Sequence, residues 1–190
     1  VGKMKISFTG TGCSGKSTLL KMCQEYYGDR FQYVTEVTRP IARKGLPINE
    51  DGGDETQRAI IDAHIENNKL DNVIMDRCIV DGYIYTQWLF EKQKVNDETY
   101  QYAWDTLYDI VDDLDIIFYC CPLEMEDDGE RSVNENFQKD IATNMTLLLY
   151  QELWSQPFKG KLVTLYPDDL DNRFRDIKIA ITEHEHSTTR

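Results

Sequence analysis

Apolar positions along the chain follow two alternating rhythms. Short runs rich in Ile, Val, Phe and Tyr recur, and between them apolar residues return every three or four positions. The first rhythm predicts buried strands and the second amphipathic helices. In order, Met4 to Thr9 reads as a strand. Lys16 to Tyr27 reads as a helix with Leu19, Leu20 and Cys23 on its inner side. Phe31 to Thr35 is a second strand, followed by a short helix with Pro40 in its first turn. Gly45 to Gly53, rich in Gly, Pro, Asn and Asp, reads as a loop, either a pocket wall or plain surface. Asp54 to Leu70 is a helix with Ile60, Ile61, His64 and Ile65 along one side. His64 reads as a packed or half-exposed histidine rather than a catalyst.

Asn72 to Asp76 is the third strand and ends on an acid. Val80 to Lys94 and Asp97 to Leu114 are helices. The second carries an aromatic stripe, Tyr100, Trp104 and Tyr108, that reads as core with some of it available for stacking. Asp115 to Cys120 is a continuous apolar strand, as expected of a parallel sheet buried on both faces. Asn134 to Ser155 is a helix, Lys161 to Tyr166 the fifth strand, and Asp168 to Glu183 the last helix. His184 to Arg190 is expected to be poorly ordered. This alternation predicts an α/β three-layer sandwich around a five-stranded parallel sheet, one domain over residues 1–190 with a small lid at about 122–133. In such sheets ligands bind at the carboxyl ends of the strands.

One stretch turns that rule into chemistry. Gly10-Thr11-Gly12-Cys13-Ser14-Gly15-Lys16-Ser17 lies between the first strand and the first helix. It satisfies G-x-x-x-x-G-K-[ST], the phosphate-binding P-loop. Its backbone N–H groups and the helix N-terminus suit phosphate oxygens. Lys16 can reach the β- and γ-phosphates of ATP, and the Ser17 hydroxyl can ligate Mg²⁺. Glu36, Asp76 and Pro122 also follow strand ends. Either acid can serve Mg²⁺ or take the acceptor's proton. Asp76 is assigned to the metal side and Glu36 to the acceptor, with the reverse open. Arg39, Arg77 and Arg131 are the candidate cationic clamps, Arg131 as part of a mobile lid or as a surface arginine balancing Asp127, Asp128 and Glu130.

Composition narrows the partners. The net charge of −13 disfavours a nucleic-acid groove. No apolar run approaches the ~20 residues that span a bilayer. The five cysteines are irregularly spaced and lack a C-x-x-C pair, which argues for reduced thiols in the cytoplasm, without zinc or disulfides. No secretory leader is expected, because the first strand follows Val1-Gly2-Lys3 at once; those three residues read as a remnant before a native start at Met4. A homodimer stays open.

Taken together, Gly10 to Thr18, Thr-Glu-Val-Thr-Arg-Pro (35–40), Met-Asp-Arg-Cys (75–78) and Asp-Gly-Glu-Arg-Ser (128–132) resemble the nucleoside and nucleotide kinase branch of P-loop proteins. Within it, the chain looks most like the ATPase/kinase group associated with NAD metabolism and found in many phages. That group includes nicotinamide riboside kinase domains and kinases of modified pyrimidines. The resemblance spans about residues 4–182. It implies that Lys16, Ser17 and the Gly12 to Thr18 backbone bind ATP and Mg²⁺, and that Glu36 is the general base. It further implies that Arg39 and Arg77 bind the acceptor, that Arg131 is the lid arginine and that Arg173 lies against the adenine. The chain departs from deoxynucleoside kinases in having one lid arginine amid acids, and it lacks the N-K-x-D guanine motif of GTPases. A small nucleoside, nucleotide or nicotinamide riboside acceptor is therefore favoured. The alternatives are a kinase of 5-hydroxymethylated bases or 5′ ends in DNA, and an ATP-gated regulator.

Overall fold

The computed structural model describes residues 3–123, 134–153 and 158–188. Five strands carry the fold: β1 (Lys5–Thr9), β2 (Gln32–Val34), β3 (Val73–Asp76), β4 (Ile116–Cys120) and β5 (Lys161–Leu165). They pair in the order β2-β3-β1-β4-β5, every neighbour parallel. Among the described residues seven α-helices join them: α1 (Lys16–Tyr27), α2 (Thr38–Arg43), α3 (Asp54–Asn68), α4 (Ile79–Glu91), α5 (Asp97–Ile110), α6 (Glu135–Leu147) and α7 (Leu170–Thr188).

The pleat of the sheet sorts its side chains into two cores. Ile6, Phe8, Ile74, Ile116 and Phe118 pack on α1 and α7 through Leu19, Leu20, Ile177 and Ile181. Val73, Met75, Ile117 and Tyr119 face the other way, toward Val80, Tyr83 and Ile84 of α4, Leu107 of α5 and Ile141 and Met145 of α6. That is the expected three-layer sandwich, with β1 and its following loop at the centre. No helix among the described residues is long and apolar enough to cross a membrane.

Two helix starts bear on the site. Gly15, in the left-handed region at φ 80°, begins α1. Cys78 begins α4, and Asp81 three residues on accepts its backbone N–H at 3.1 Å. The Cys78 side chain faces the Asp81 N–H in return, completing a capping box with Cys in the usual place of Ser or Thr. The lid expected at 122–133 falls almost entirely outside the described residues. One expectation fails outright: residues 184–188 continue α7 rather than fraying. Glu185 pairs with Arg30, Lys161 bonds Glu183 at 2.7 Å, and His184 lies 3.5 Å from Asp115. These cross-links dock the last turn onto the body, which composition alone does not reveal.

Among the buried polar side chains, Arg173 and His64 differ in kind. Arg173, at 1% exposure, donates Nε to the Tyr166 carbonyl (2.8 Å), Nη1 to that of Ser14 (2.8 Å) and Nη2 to that of Cys121 (3.0 Å). One guanidinium thus ties the turn before α7, the loop after β1 and the end of β4. His64 on α3, at 3% exposure, has no hydrogen-bond partner on either nitrogen among the described residues. Burial, reinforced by the charge of Arg77, lowers its pKa to about 3.

Arg173→Met should therefore cost about 3 kcal/mol, since three carbonyls lose a charged donor. For a chain of this size that lowers Tm by roughly 6–12 °C, measurable by calorimetry. His64 should make the fold acid-sensitive. Its unfolded imidazole takes a proton near pH 6.5, whereas the folded one stays neutral down to about pH 3. Its contribution is fully present above about pH 6.5 and is lost as pH falls toward 3, at up to about 1.4 kcal/mol per pH unit. Urea titrations across that window should show His64→Met lacking this slope, and identical slopes in both proteins would contradict it.

Candidate active site

The loop from Gly10 to Ser17 turns from the end of β1 into α1. Gly10 has φ 146°, and a Cβ there would sit 2.6 Å from the Cys120 carbonyl oxygen, so the close approach of the loop to β4 requires glycine. Ser14 Oγ donates to the Thr11 carbonyl at 2.9 Å and Gly12 N–H donates to Gln138 Oε1 of α6 at 3.2 Å. Cys13 sits at φ 53°, and its carbonyl receives the N–H of Leu123 at 3.3 Å. The Lys16 ammonium, 6% exposed, bonds the carbonyls of Gly10 and Thr11 and the hydroxyl of Ser14. Burial lowers its pKa, and Arg77 adds to the effect. A group so desolvated gains strongly from an incoming anion.

Ser17, one residue on, donates to Asp76 Oδ2 at 2.6 Å. Asp76 ends β3 directly beside Phe8 of β1. Its other oxygen is buried without a hydrogen-bond partner among the described residues. The hydroxyl and the carboxylate assigned to one metal side in the sequence are thus in direct contact, with a spare acidic oxygen beside them.

Arg77 follows in the left-handed region at φ 81°, costly for a residue with a long side chain. The strain directs its guanidinium inward, at 10% exposure. Nε meets Glu36 at 3.1 Å, and Nη1 reaches the Gly10 carbonyl (3.2 Å), Asp81 (3.3 Å) and the Tyr85 hydroxyl (3.5 Å). Burial opposes its charge, yet Tyr85, Glu36, Asp81 and Asp76 together hold its pKa well above the ordinary value. Asp81 also accepts the Gly10 N–H at 3.3 Å, so it grips the loop directly. Burial pushes its carboxyl up, and Arg77 and Lys16 pull the other way. Arg39, more exposed, approaches Glu36 at 3.7 Å.

Two recesses meet at these groups. One, of about 310 Å³, is lined by Gly12 to Thr18 together with Glu36 and Arg77. The other, of about 360 Å³, runs between α3 and α4 past Gln57, Ile60, His64, Asp81 and Tyr85, and is walled by the same Glu36 and Arg77. Asn49, from the loop whose role was open, lines the second recess.

The structure gathers Lys16, Ser17, Glu36, Arg39, Asp76 and Arg77 at one sheet edge. Arg131 lies outside the described residues. Arg173, expected against an adenine, has its guanidinium hydrogen-bonded to three backbone carbonyls beneath the loop. Sequence reasoning missed Asp81, Tyr85 and Gln138. Asp81 had a readable signal, being four residues after Arg77 and at the fourth position of a helix start; the other two carried none. No group of three or more His, Cys, Asp or Glu among the described residues is arranged to hold a metal.

Comparison with known proteins places this geometry. The fold matches deoxyadenosine kinase from M. mycoides with products dCMP and a flexible dCDP bound, at TM-score 0.70 and 18% identity, covering 95% of this chain and 99% of that one. The same enzyme with bound dATP gives TM-score 0.70 at 17% identity, covering 94% and 99%. NadR protein in complex with NAD and AMP-PNP gives 0.68 at 14%, with 95% of this chain covering 49% of that one. At these identities the likeness establishes the fold. No curated protein matches the sequence. A family model described as an AAA domain matches residues 5–156, most of the chain. With its loop between β1 and α1, its Ser17–Asp76 contact and its parallel sheet, the chain belongs to this AAA domain family (AAA_28) and has the fold of P-loop kinases.

Proposed function

We propose that this protein is an ATP-dependent kinase that transfers the γ-phosphate to a hydroxyl of a small nucleoside-type acceptor. The observation that carries the reading is the pair of recesses divided by one ion pair, Glu36 with Arg77. A phosphate-binding loop alone suits any nucleotide-binding protein. A second recess, opening on the same carboxylate, suits two substrates meeting across it. An ATP-gated regulator has no need of it. Its small volume and the charge of −13 both count against a DNA acceptor. The nucleotide-bound neighbours, deoxyadenosine kinase and NadR, agree with the small-molecule reading.

In this reading the loop backbone and Lys16 hold the β- and γ-phosphates of ATP. Ser17 and Asp76 fit Mg²⁺, since the buried spare oxygen of Asp76 is an acidic ligand without another partner among the described residues. Bound there, the ion neutralises charge developing on the phosphates. Glu36 accepts the proton of the acceptor hydroxyl as that oxygen bonds to the γ-phosphorus and the bond to the β–γ bridging oxygen breaks. Arg77 and Arg39 orient the acceptor, and Arg77 holds Glu36 in place.

A screen of nucleosides, nucleoside monophosphates, nicotinamide riboside and hydroxymethylated DNA, read by ATP consumption and product mass, tests this directly. Turnover of a small nucleoside-type compound is expected; product on DNA alone, or on none, refutes the reading. With the acceptor found, Lys16→Ala should cut kcat by about 10³-fold or more while circular dichroism stays unchanged. Glu36→Gln should cut it by about 10²-fold or more. If Asp76→Asn alone does so, the two acids have exchanged roles.

A further inference from the structure

The cleft between α3 and α4 contains two residues that are each locally unfavourable and face one another. The first is His64, buried with both ring nitrogens unpartnered among the described residues. Leaving an imidazole unsatisfied in the interior is destabilising, and an apolar side chain of similar size would be better for folding. The second is Gly82, inside α4, where glycine weakens a helix. A Cβ at Gly82 would lie 3.1 Å from His64 Cδ2 and 3.7 Å from Nε2. The helix leaves out a side chain where the imidazole stands. Other polar groups of the same cleft are already engaged. Gln57 Oε1 receives the Thr86 hydroxyl at 3.0 Å, and Asp81 receives Gly10, Cys78 and Arg77. Local rules broken together at one place are a mark of functional or strained sites, and this one lines the recess that reaches Glu36 and Arg77.

From this placement we infer that His64 is a specificity-determining residue, whose imidazole hydrogen-bonds the nitrogen- or oxygen-bearing edge of the ring that the acceptor carries into the cleft. The inference rests on reading that cleft as the acceptor side of a kinase. Burial and the nearby Arg77 keep the imidazole neutral at physiological pH, so it offers one N–H and one lone pair. The matching ligand is an uncharged heterocycle with ring nitrogen, amide or amino groups at its edge, as in a nucleobase. A cationic ring would be opposed by Arg77, and a purely hydrocarbon ring would leave the imidazole as unsatisfied as before.

The test pairs a change in the residue with a change in the ligand. Purine and pyrimidine nucleosides are compared with their methylbenzimidazole and difluorotoluene isosteres, which keep the sugar and the ring shape but lack the hydrogen-bonding edge. For wild type, kcat/KM should favour the natural ring by about 10²-fold or more. His64→Met should shrink that preference at least about tenfold, mainly through the natural substrate, while raising the Tm of the ligand-free protein. His64→Gln, which restores a donor and an acceptor, should recover part of the preference. An unchanged preference in His64→Met overturns the inference and leaves the kinase reading standing. If wild type phosphorylates no nucleoside at all, both fall. Should the variants not fold, ¹⁵N spectra of the wild type decide the matter. The His64 ring nitrogens must shift on adding the preferred nucleoside at neutral pH, with His184 and His186 as unmoving references; a static His64 signal refutes the contact.

Discussion

The guanidinium of Arg77 is the constraint on which the site depends. It is a permanent charge brought indoors, and such a charge persists only when surrounded by acceptors. Here Glu36, Asp81, Tyr85 and the Gly10 carbonyl supply them, from β2's end, α4 and the loop after β1. The backbone of Arg77 is held at a positive φ to make this possible. Its own N–H is fixed to Phe8 of β1 at 2.9 Å. The strained residue is therefore anchored at both ends, main chain to the central strand and side chain to the site. Remove the charge, and Asp81 loses its ion-pair partner and Glu36 keeps only the longer contact to Arg39, while the loop loses a support on its inner side.

Much of the fold was legible because it rests on period and punctuation. Ile116 to Cys120 could hardly be anything but a doubly buried strand, and Leu19, Leu20 and Cys23 fixed the face of α1. The site was legible where chemistry follows strand ends: Ser17 and Asp76, far apart in the chain, were assigned to one metal and stand 2.6 Å apart. What sequence could not supply was anything depending on who faces whom. Arg173 sits near a helix start and looks available to a ligand, yet the carbonyls it holds come from three distant segments. His64 looked like ordinary core because periodicity reports depth, not whether a buried nitrogen finds a partner. The end of α7 was misjudged for a related reason. A polar run reads as fraying unless the ion pairs that hold it, Glu185 with Arg30 above all, are known.

Glu36 and Arg77 line both recesses of the site. Both recesses are small, and they share a wall that is itself charged and hydrogen-bonded. In the proposed kinase reading, proton acceptance, orientation of the acceptor and the floor under the phosphates would belong to one connected group of side chains. Such a group rewards geometry rather than affinity: misplacing any member by a fraction of an ångström moves the others.

The clamp made by Arg173 also has a consequence in time. The carbonyl of Ser14 waits for a partner 159 positions later in the chain. At ribosomal rates of 5–20 residues per second, that is a delay of roughly 8–30 s between making the loop and making its fastener. During synthesis β1 and α1 must exist without it, and β4 and β5 must assemble before α7 can deliver it. The segment that would grip a nucleotide is translated well before the residue that fastens it, so its final shape waits on α7.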